Sequence, residues 1–101
     1  MEKIVFACTD VKELKKVLEA DSLSEMSFAR QGYVLREGKL YGLKGYVVYL
    51  KVQPEHAAFF RGKLAVVPTS KELTGPDKEK VVSAVEEEEN SAAAGFGSVF
   101  G

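Results

Sequence analysis

The segment of residues 46–52 constrains the fold more than any other, because apolar residues recur on both of its faces. With the two-residue period of a strand, one face carries Tyr46, Val48, Leu50 and Val52. The other face carries Val47, Tyr49 and Lys51. Apolar residues on both faces are typical of the interior of a sheet, so we expect a central strand here. Gly42 and Gly45, just before it, indicate a bulge or a close approach by another group.

The first half of the chain predicts a strand followed by a helix. Residues 3–8 form a short apolar run rich in strand-forming residues, which indicates a buried strand. Asp10 and Glu13 have the spacing of a capping box, and the apolar residues that follow recur at helical spacing. We therefore expect an amphipathic helix over about residues 10–20, followed by a polar connection from Asp21 to Ser24.

From residue 33 onward, the sequence predicts three further strands and two helices. A tight turn at residues 37–38 would join a strand at 33–35 to a return strand beginning at Leu40. Pro54 suits the first position of a helix that Gly62 would end. Residues 64–67 would form a short strand, and Pro76 would begin a last helix extending to about residue 89. The resulting order, β-α-β-β-α-β and then a helix, predicts an α+β fold on the ferredoxin-like plan.

Length and charge predict one domain with an acidic tail. A chain of 101 residues, 46% of them hydrophobic, is typical of a single globular domain. All 14 basic residues precede residue 86, against 11 acidic ones, whereas residues 86–101 carry four glutamates and no basic residue. We therefore divide the chain into a mildly basic body, residues 1–85, and an acidic tail, residues 86–101. No apolar run approaches the ~20 residues of a membrane span, and no signal peptide is visible, so we expect a cytoplasmic protein.

No residue pattern in the chain selects a catalytic, metal or cofactor site. His56 is the single histidine and Cys8 the single cysteine, and together they do not supply the three or four ligands that zinc needs. The glycines lack the spacing of a phosphate-binding loop. We therefore expect a protein that is not an enzyme, with no catalytic residues, no bound metal and no cofactor.

Residues 44–50 resemble in part the third-strand signature of RNA-recognition-motif domains. Lys44, Gly45 and Tyr46 match its basic residue, glycine and first aromatic, whereas valines stand at the next two positions. The resemblance implies binding of single-stranded RNA on the sheet face around Tyr46, with Arg30 and Arg36 able to contact phosphates. The alternative is a core strand whose tyrosines pack under helices.

The tail carries the most distinctive pattern in the chain. Glu86 to Glu89 are followed by a spacer of small residues, Ala92 to Ala94, and then by Phe96, Val99 and Phe100 among glycines. This tail resembles the acidic C-terminal end of archaeal and eukaryotic ribosomal stalk proteins, whose body is helical rather than α+β. The resemblance implies docking into a translational GTPase, with Phe96, Val99 and Phe100 as anchors in an apolar groove and the glutamates facing a basic rim. The alternatives are that both phenylalanines fold back onto the body or that the tail is disordered.

Three hypotheses for function follow from these patterns. The first is a small interaction module linked to translation, whose body docks on a ribosome or another copy and whose tail binds a translational GTPase. The second is a single-stranded RNA-binding domain that uses the sheet around Tyr46. The third is a homo-oligomeric structural protein whose tail packs on a neighbouring copy.

Overall fold

The computed structural model describes the backbone of residues 1–20 and 23–100 and the side chains of residues 1–20 and 23–90. Half of the predicted connection from Asp21 to Ser24 therefore lies outside the described residues. The strands are β1 (Glu2–Cys8), β2 (Val34–Glu37), β3 (Tyr46–Val52) and β4 (Lys71–Glu72). The helices are α1 (Val11–Glu19), α2 (Phe28–Gln31), α3 (Pro54–Ala65) and α4 (Gly75–Phe100), with a 3-10 helix at Gly38–Tyr41.

The four strands form one sheet in the order β2-β3-β1-β4. Every neighbouring pair is antiparallel, and β1 and β3 are paired along their whole length, with Ile4 opposite Leu50 and Phe6 opposite Val48. The prediction that residues 46–52 form a central strand is confirmed, and so is the α+β class. Because both central strands are apolar on their two faces, the sheet needs cover on each side.

One side, which we call the three-helix face, is covered by α1, α2 and α3. The alternate residues of β1 and β3 that point to this side are buried together with residues of the three helices. Phe60 of α3 is 0% exposed and meets Phe28 of α2 edge to face, with ring centroids 5.0 Å apart. The buried residues of this cluster are Ile4, Phe6, Cys8, Leu14, Leu18, Phe28, Val48, Leu50, Val52, Ala57, Phe60, Leu64 and Val67.

The other side, which we call the α4 face, has a smaller core. Val81 and Val85 are four residues apart, so they lie on one side of α4, and both are buried against the sheet. The buried residues of this cluster are Val5, Tyr41, Val47, Tyr49, Leu73, Val81 and Val85. The sheet is therefore enclosed between a layer of three helices and a layer formed by α4.

Two predictions about local structure are confirmed at the ends of the central strands. The Asp10 carboxylate accepts a hydrogen bond from the Glu13 amide at 3.2 Å, which caps the first turn of α1 as its spacing predicts. Gly45 has a φ of +71°, and a Cβ atom there would lie 2.4 Å from the Cys8 carbonyl oxygen. Gly45 is thus the close backbone approach that its position before β3 indicates.

The predicted tight turn at residues 37–38 and the return strand beginning at Leu40 are wrong. After β2 the chain makes a 3-10 helix, Gly38–Tyr41, and the return strand is β3, which begins at Tyr46. Tyr41 is the reason, because its ring is buried in the core of the α4 face while Leu40 beside it is exposed. The short helix α2 was also not predicted, since its four residues are too few for a periodic pattern.

The predicted helix end at Gly62 and the strand at 64–67 are also wrong. α3 continues through Gly62 to Ala65, and the strand that pairs with β1 is β4, Lys71–Glu72. A glycine inside a helix costs about 1 kcal/mol. Leu64 offsets this cost, because the further turn of helix buries its side chain completely in the core of the three-helix face.

Candidate functional site

The acidic run predicted as a binding element lies on α4, directly after its last buried residue. Val85 is buried, and Glu86, the next residue, places its carboxylate beside the two central strands. Lys3 Nζ lies 2.6 Å from Glu86 Oε1, and the Tyr49 hydroxyl donates to the same oxygen at 3.5 Å. The first glutamate of the run therefore joins α4 to both central strands.

Glu88 makes a second connection, to the edge strand. Arg36 of β2 donates from Nη2 to Glu88 Oε1 at 2.8 Å. This hydrogen bond raises the pKa of the Arg36 guanidinium above its ordinary value, so the guanidinium stays charged at neutral pH. Both side chains are more than one third exposed, and solvent therefore screens their attraction. The pair fixes the direction of α4 across the sheet more than it stabilises the fold.

The electrostatics at this junction follow from burial and from the nearby charges. The hydrogen bond from Lys3 lowers the pKa of Glu86 below its ordinary value of 4.5. Burial, and after it the negative charges of Glu86 and Glu89, raise the pKa of Tyr49 from 10.0 to about 12. Tyr49 is therefore protonated throughout the physiological range and donates to the Glu86 carboxylate.

The other two glutamates of the run have a different environment. Glu87 and Glu89 are exposed, and neither forms an ion pair with the residues that the structure describes. The acidic run thus divides into two members that attach α4 to the body and two whose charges face solvent. Residues 86 and 88 are two positions apart and do not share one side of a helix, so this division comes from the positions of Lys3 and Arg36 on the sheet rather than from helical periodicity.

The predicted apolar anchors lie farther along the same helix. Phe96, Val99 and Phe100 fall within α4, at spacings that place them along one side of a helix. Their side chains lie outside the described part of the structure. At about 1.5 Å per residue, Phe96 is roughly 16 Å beyond Val85 along the helix axis.

The residues proposed for RNA binding are not brought together on one open face. Tyr46 is half-buried and packs on the three-helix face, whereas Arg36, opposite Val47 in the register, points to the α4 face and pairs with Glu88. Lys44 and Arg30 are exposed. The sheet face that carries Tyr49 lies under α4.

Sequence analysis missed Lys3, Tyr49 and the role of Arg36 in holding α4. Lys3 could have been found from the alternation of β1, because it lies on the same side as Val5. That Arg36 faces α4 depends on the pairing of β2 with β3, which a single sequence does not give.

The single cysteine and histidine occupy ordinary structural positions. Cys8 is buried, with Sγ 3.4 Å from the Pro68 carbonyl oxygen and 3.5 Å from Thr69 Oγ1. His56 lies near the start of α3, and its buried Nδ1 atom has no hydrogen-bond partner within the described residues. Across residues 1–20 and 23–90, no three potential metal ligands lie together. None of the described helices combines the length and the apolar character needed to cross a membrane.

Comparisons of this chain with protein-family models, with curated proteins and with solved structures found no match.

Proposed function

We propose that this chain is a protein-interaction module, in which the α+β body holds the first half of α4 and the second half docks on a partner protein. The observation that carries the proposal is the double attachment of the acidic run, Glu86 to Lys3 and Glu88 to Arg36. These pairs follow directly after Val81 and Val85, which bury the start of α4 on the sheet. Residues 96–100 are thereby held at a defined distance and direction from the body.

Such an attachment favours binding for a physical reason. A free peptide loses backbone and side-chain entropy when it docks, and this loss is subtracted from the affinity. A helix whose first half is already fixed to a folded body loses less of it. Phe96, Val99 and Phe100 would then enter an apolar groove of the partner as the anchors of an amphipathic helix.

The chemistry of the partner follows from the exposed charges. Glu87 and Glu89 face solvent beside the docking residues, so the groove that accepts the helix would have a basic rim, which speeds encounter. The resemblance of the tail to ribosomal stalk proteins makes a translational GTPase the leading partner and the ribosome the second. A cytoplasmic location, with a role in translation, is consistent with both.

We also propose that the body is a variant of the ferredoxin-like fold. The support is the strand order: β3 lies between β1 and β2, and β1 lies between β3 and β4. The two strands of each β-α-β unit are thus separated by one strand of the other unit, as in the split β-α-β plan. The α4 helix would be an addition that covers the second face.

The proposal is tested by titrating a purified translational GTPase into the full chain and measuring heat release. The double variant Phe96→Ala with Phe100→Ala is expected to weaken binding by about 100-fold or more, because both anchors are lost. Leu40→Ala is the matched control, since Leu40 is 64% exposed and lies in the 3-10 helix, outside the residues proposed to dock. Equal affinity of the double variant and the wild type would contradict the proposal, as would no binding by the wild type to the GTPase or to ribosomes.

A further inference from the structure

An apolar groove lies between α1 and α3, on the three-helix face and therefore on the opposite side of the sheet from α4. Its volume is about 290 Å³. A cavity of about 150 Å³ holds one benzene molecule, so this groove has room for roughly two phenyl rings. The residues that line it are Lys16, Val17, Ala20, Ser24, Met26, Ser27, Phe28, Phe59, Lys63 and Val66.

Two large apolar side chains of this groove are exposed to solvent. Phe59, in the middle of α3, is 41% exposed, and Val66, the residue directly after α3, is 73% exposed. Phe59 is held in place, because its ring meets the buried Phe60 edge to face with centroids 5.2 Å apart. A fixed and exposed aromatic ring beside a groove is typical of a binding surface.

The charges at the groove have a single sign. Lys16 and Lys63 are the charged residues that line it, and no acidic residue of the described chain does so. Lys63 Nζ lies 5.4 Å from the centroid of the Phe59 ring and forms no ion pair within the described residues. Lys16 pairs with Glu13 at 3.0 Å, but this pair is exposed and weak. The groove therefore suits a ligand that combines aromatic rings with negative charge.

The chain itself contains one such segment. Glu86 to Glu89 precede Phe96 and Phe100, so two phenyl rings follow the only acidic run in the sequence. On a helix, Glu89 and Phe96 are seven residues apart and lie on the same side, about 10 Å from each other along the axis. We propose that the groove binds the C-terminal segment of a second copy of this chain, with Phe96 and Phe100 in the groove and Glu89 beside Lys63.

The occupant comes from a second copy because of where α4 lies. Val81 and Val85 pack on the α4 face, and Glu86 and Glu88 are paired there with Lys3 and Arg36. The segment of the same chain therefore begins on the side of the sheet that faces away from the groove. The segment of a neighbouring copy has no such constraint.

This contact is heterologous, since the tail of one copy enters the groove of the next. It rests on the proposed function for the identity of the docking residues, and it adds a second binding surface on the body. Self-association would cover the two phenylalanines until a partner with a deeper groove displaces the neighbouring copy. The affinity for a partner would then depend on the concentration of the chain itself.

Sedimentation equilibrium with two complementary variants tests the proposal. Phe96→Ala with Phe100→Ala removes the tail anchors, and Lys63→Glu with Val66→Glu reverses the charge and polarity of the groove at exposed positions. Leu40→Glu is the control, since it places the same charge at an exposed apolar site elsewhere. The wild type and the control are expected to show an average mass above the 11.0 kDa of one chain. Each double variant is expected to self-associate at least about ten-fold more weakly.

Mixing the two double variants gives the decisive result. One supplies an intact groove and the other an intact tail, so an equimolar mixture is expected to form a pair that neither variant forms alone. A wild type that stays monomeric would overturn the proposal, and so would association that either double variant retains. Binding of a translational GTPase to the groove variant separates the two proposals, because the proposed function expects that binding to be unchanged.

Discussion

The two faces of the sheet are covered in different ways. Among the side chains that the structure describes, thirteen buried ones on the three-helix face, from β1, β3, the three helices and Val67 after α3, form a continuous apolar core. On the α4 face, seven buried residues form a smaller core, and polar contacts from Glu86 and Glu88 continue the attachment beyond it. The same two strands serve both faces, so the difference comes from the helices that cover them.

This difference separates stability from function. Burial of apolar area is not directional and supplies most of the free energy of folding, which places the main source of stability on the three-helix face. Ion pairs at the surface add little energy but require a particular geometry. The α4 face is therefore suited to hold one helix in a defined direction. Releasing that helix costs a modest amount of free energy.

The largest expected effect is on the three-helix face. Phe60→Ala removes a ring that is 0% exposed and leaves a cavity between α2 and the sheet, so we expect a loss of about 3–5 kcal/mol in the free energy of unfolding. Chemical denaturation monitored by circular dichroism measures it. If Phe60→Ala costs no more than Val85→Ala on the α4 face, the two cores do not differ as we describe.

Gly45→Ala is expected to weaken both cores, because Gly45 directly precedes β3, the central strand whose side chains enter both of them. A Cβ atom there would meet the Cys8 carbonyl oxygen at 2.4 Å and Thr9 Cα at 2.8 Å, in addition to the strain of a φ of +71°. We expect a loss of about 2–3 kcal/mol in the free energy of unfolding.

Gly42→Ala is the matched control for this change. Its φ of +74° is similar, but a Cβ atom there meets nothing within 4 Å, so only the backbone strain of about 1 kcal/mol applies. Equal losses for the two variants in the same denaturation experiment would show that the close approach at Gly45 does not matter.

Val85→Ala is expected to loosen α4 while leaving the three-helix face intact. It removes two buried methyl groups, for a loss of about 2 kcal/mol. Burial is the main reason that the pKa of Tyr49 is about 12, so release of α4 would move that pKa toward 10.0. Ultraviolet titration of the tyrosines measures the shift, and Val82→Ala, at a half-buried position beside it, is the control. A Tyr49 pKa that stays near 12 in Val85→Ala would show that α4 is not its cover.

The smallest effect is the response of α4 to acid. The pKa of Glu86 is lowered from 4.5 by Lys3, so its contribution to stability is present above pH 4.5 and is lost as the pH falls through the lowered value. Hydrogen exchange of the α4 amides should therefore speed up, relative to β1 and β3, only in that acidic range.

Glu86→Gln should remove this pH dependence, and Glu87→Gln should not. Both variants change one glutamate of α4 from charged to neutral, but only Glu86 contacts Lys3 and Tyr49. The same response in wild type and Glu86→Gln would mean that other carboxylates control the attachment.

The sequence predicts the elements that depend on local patterns. The alternation of residues 46–52 and the cap at Asp10 are confirmed, because each depends on neighbouring residues alone. The close approach at Gly45 is to the distant Cys8 and is also confirmed, because a glycine next to a strand marks such a position by itself. The 3-10 helix at Gly38–Tyr41 and the continuation of α3 past Gly62 depend on burial of Tyr41 and Leu64 by distant segments. A single sequence does not show those contacts.

The candidate site likewise combines residues that a local sequence pattern shows with residues that only the strand pairing brings together. The acidic run is visible in the sequence, whereas the residues that hold it, Lys3 of β1 and Arg36 of β2, come from two strands that are separated by β3 in the sheet. Strand pairing decides which side chains share a face, and a shift of one residue would turn Arg36 away from α4.

Backbone amide hydrogen exchange over residues 81–89 of the isolated wild-type chain tests the central claim most directly. If α4 covers the second face of the sheet, these amides are protected to within about ten-fold of those in β1 and β3 at neutral pH. Exchange at the rate of an unprotected helix would contradict the account. The sheet face with Val47 and Tyr49 would then be open, the support for an oriented docking helix would be lost, and single-stranded RNA binding would become the better hypothesis.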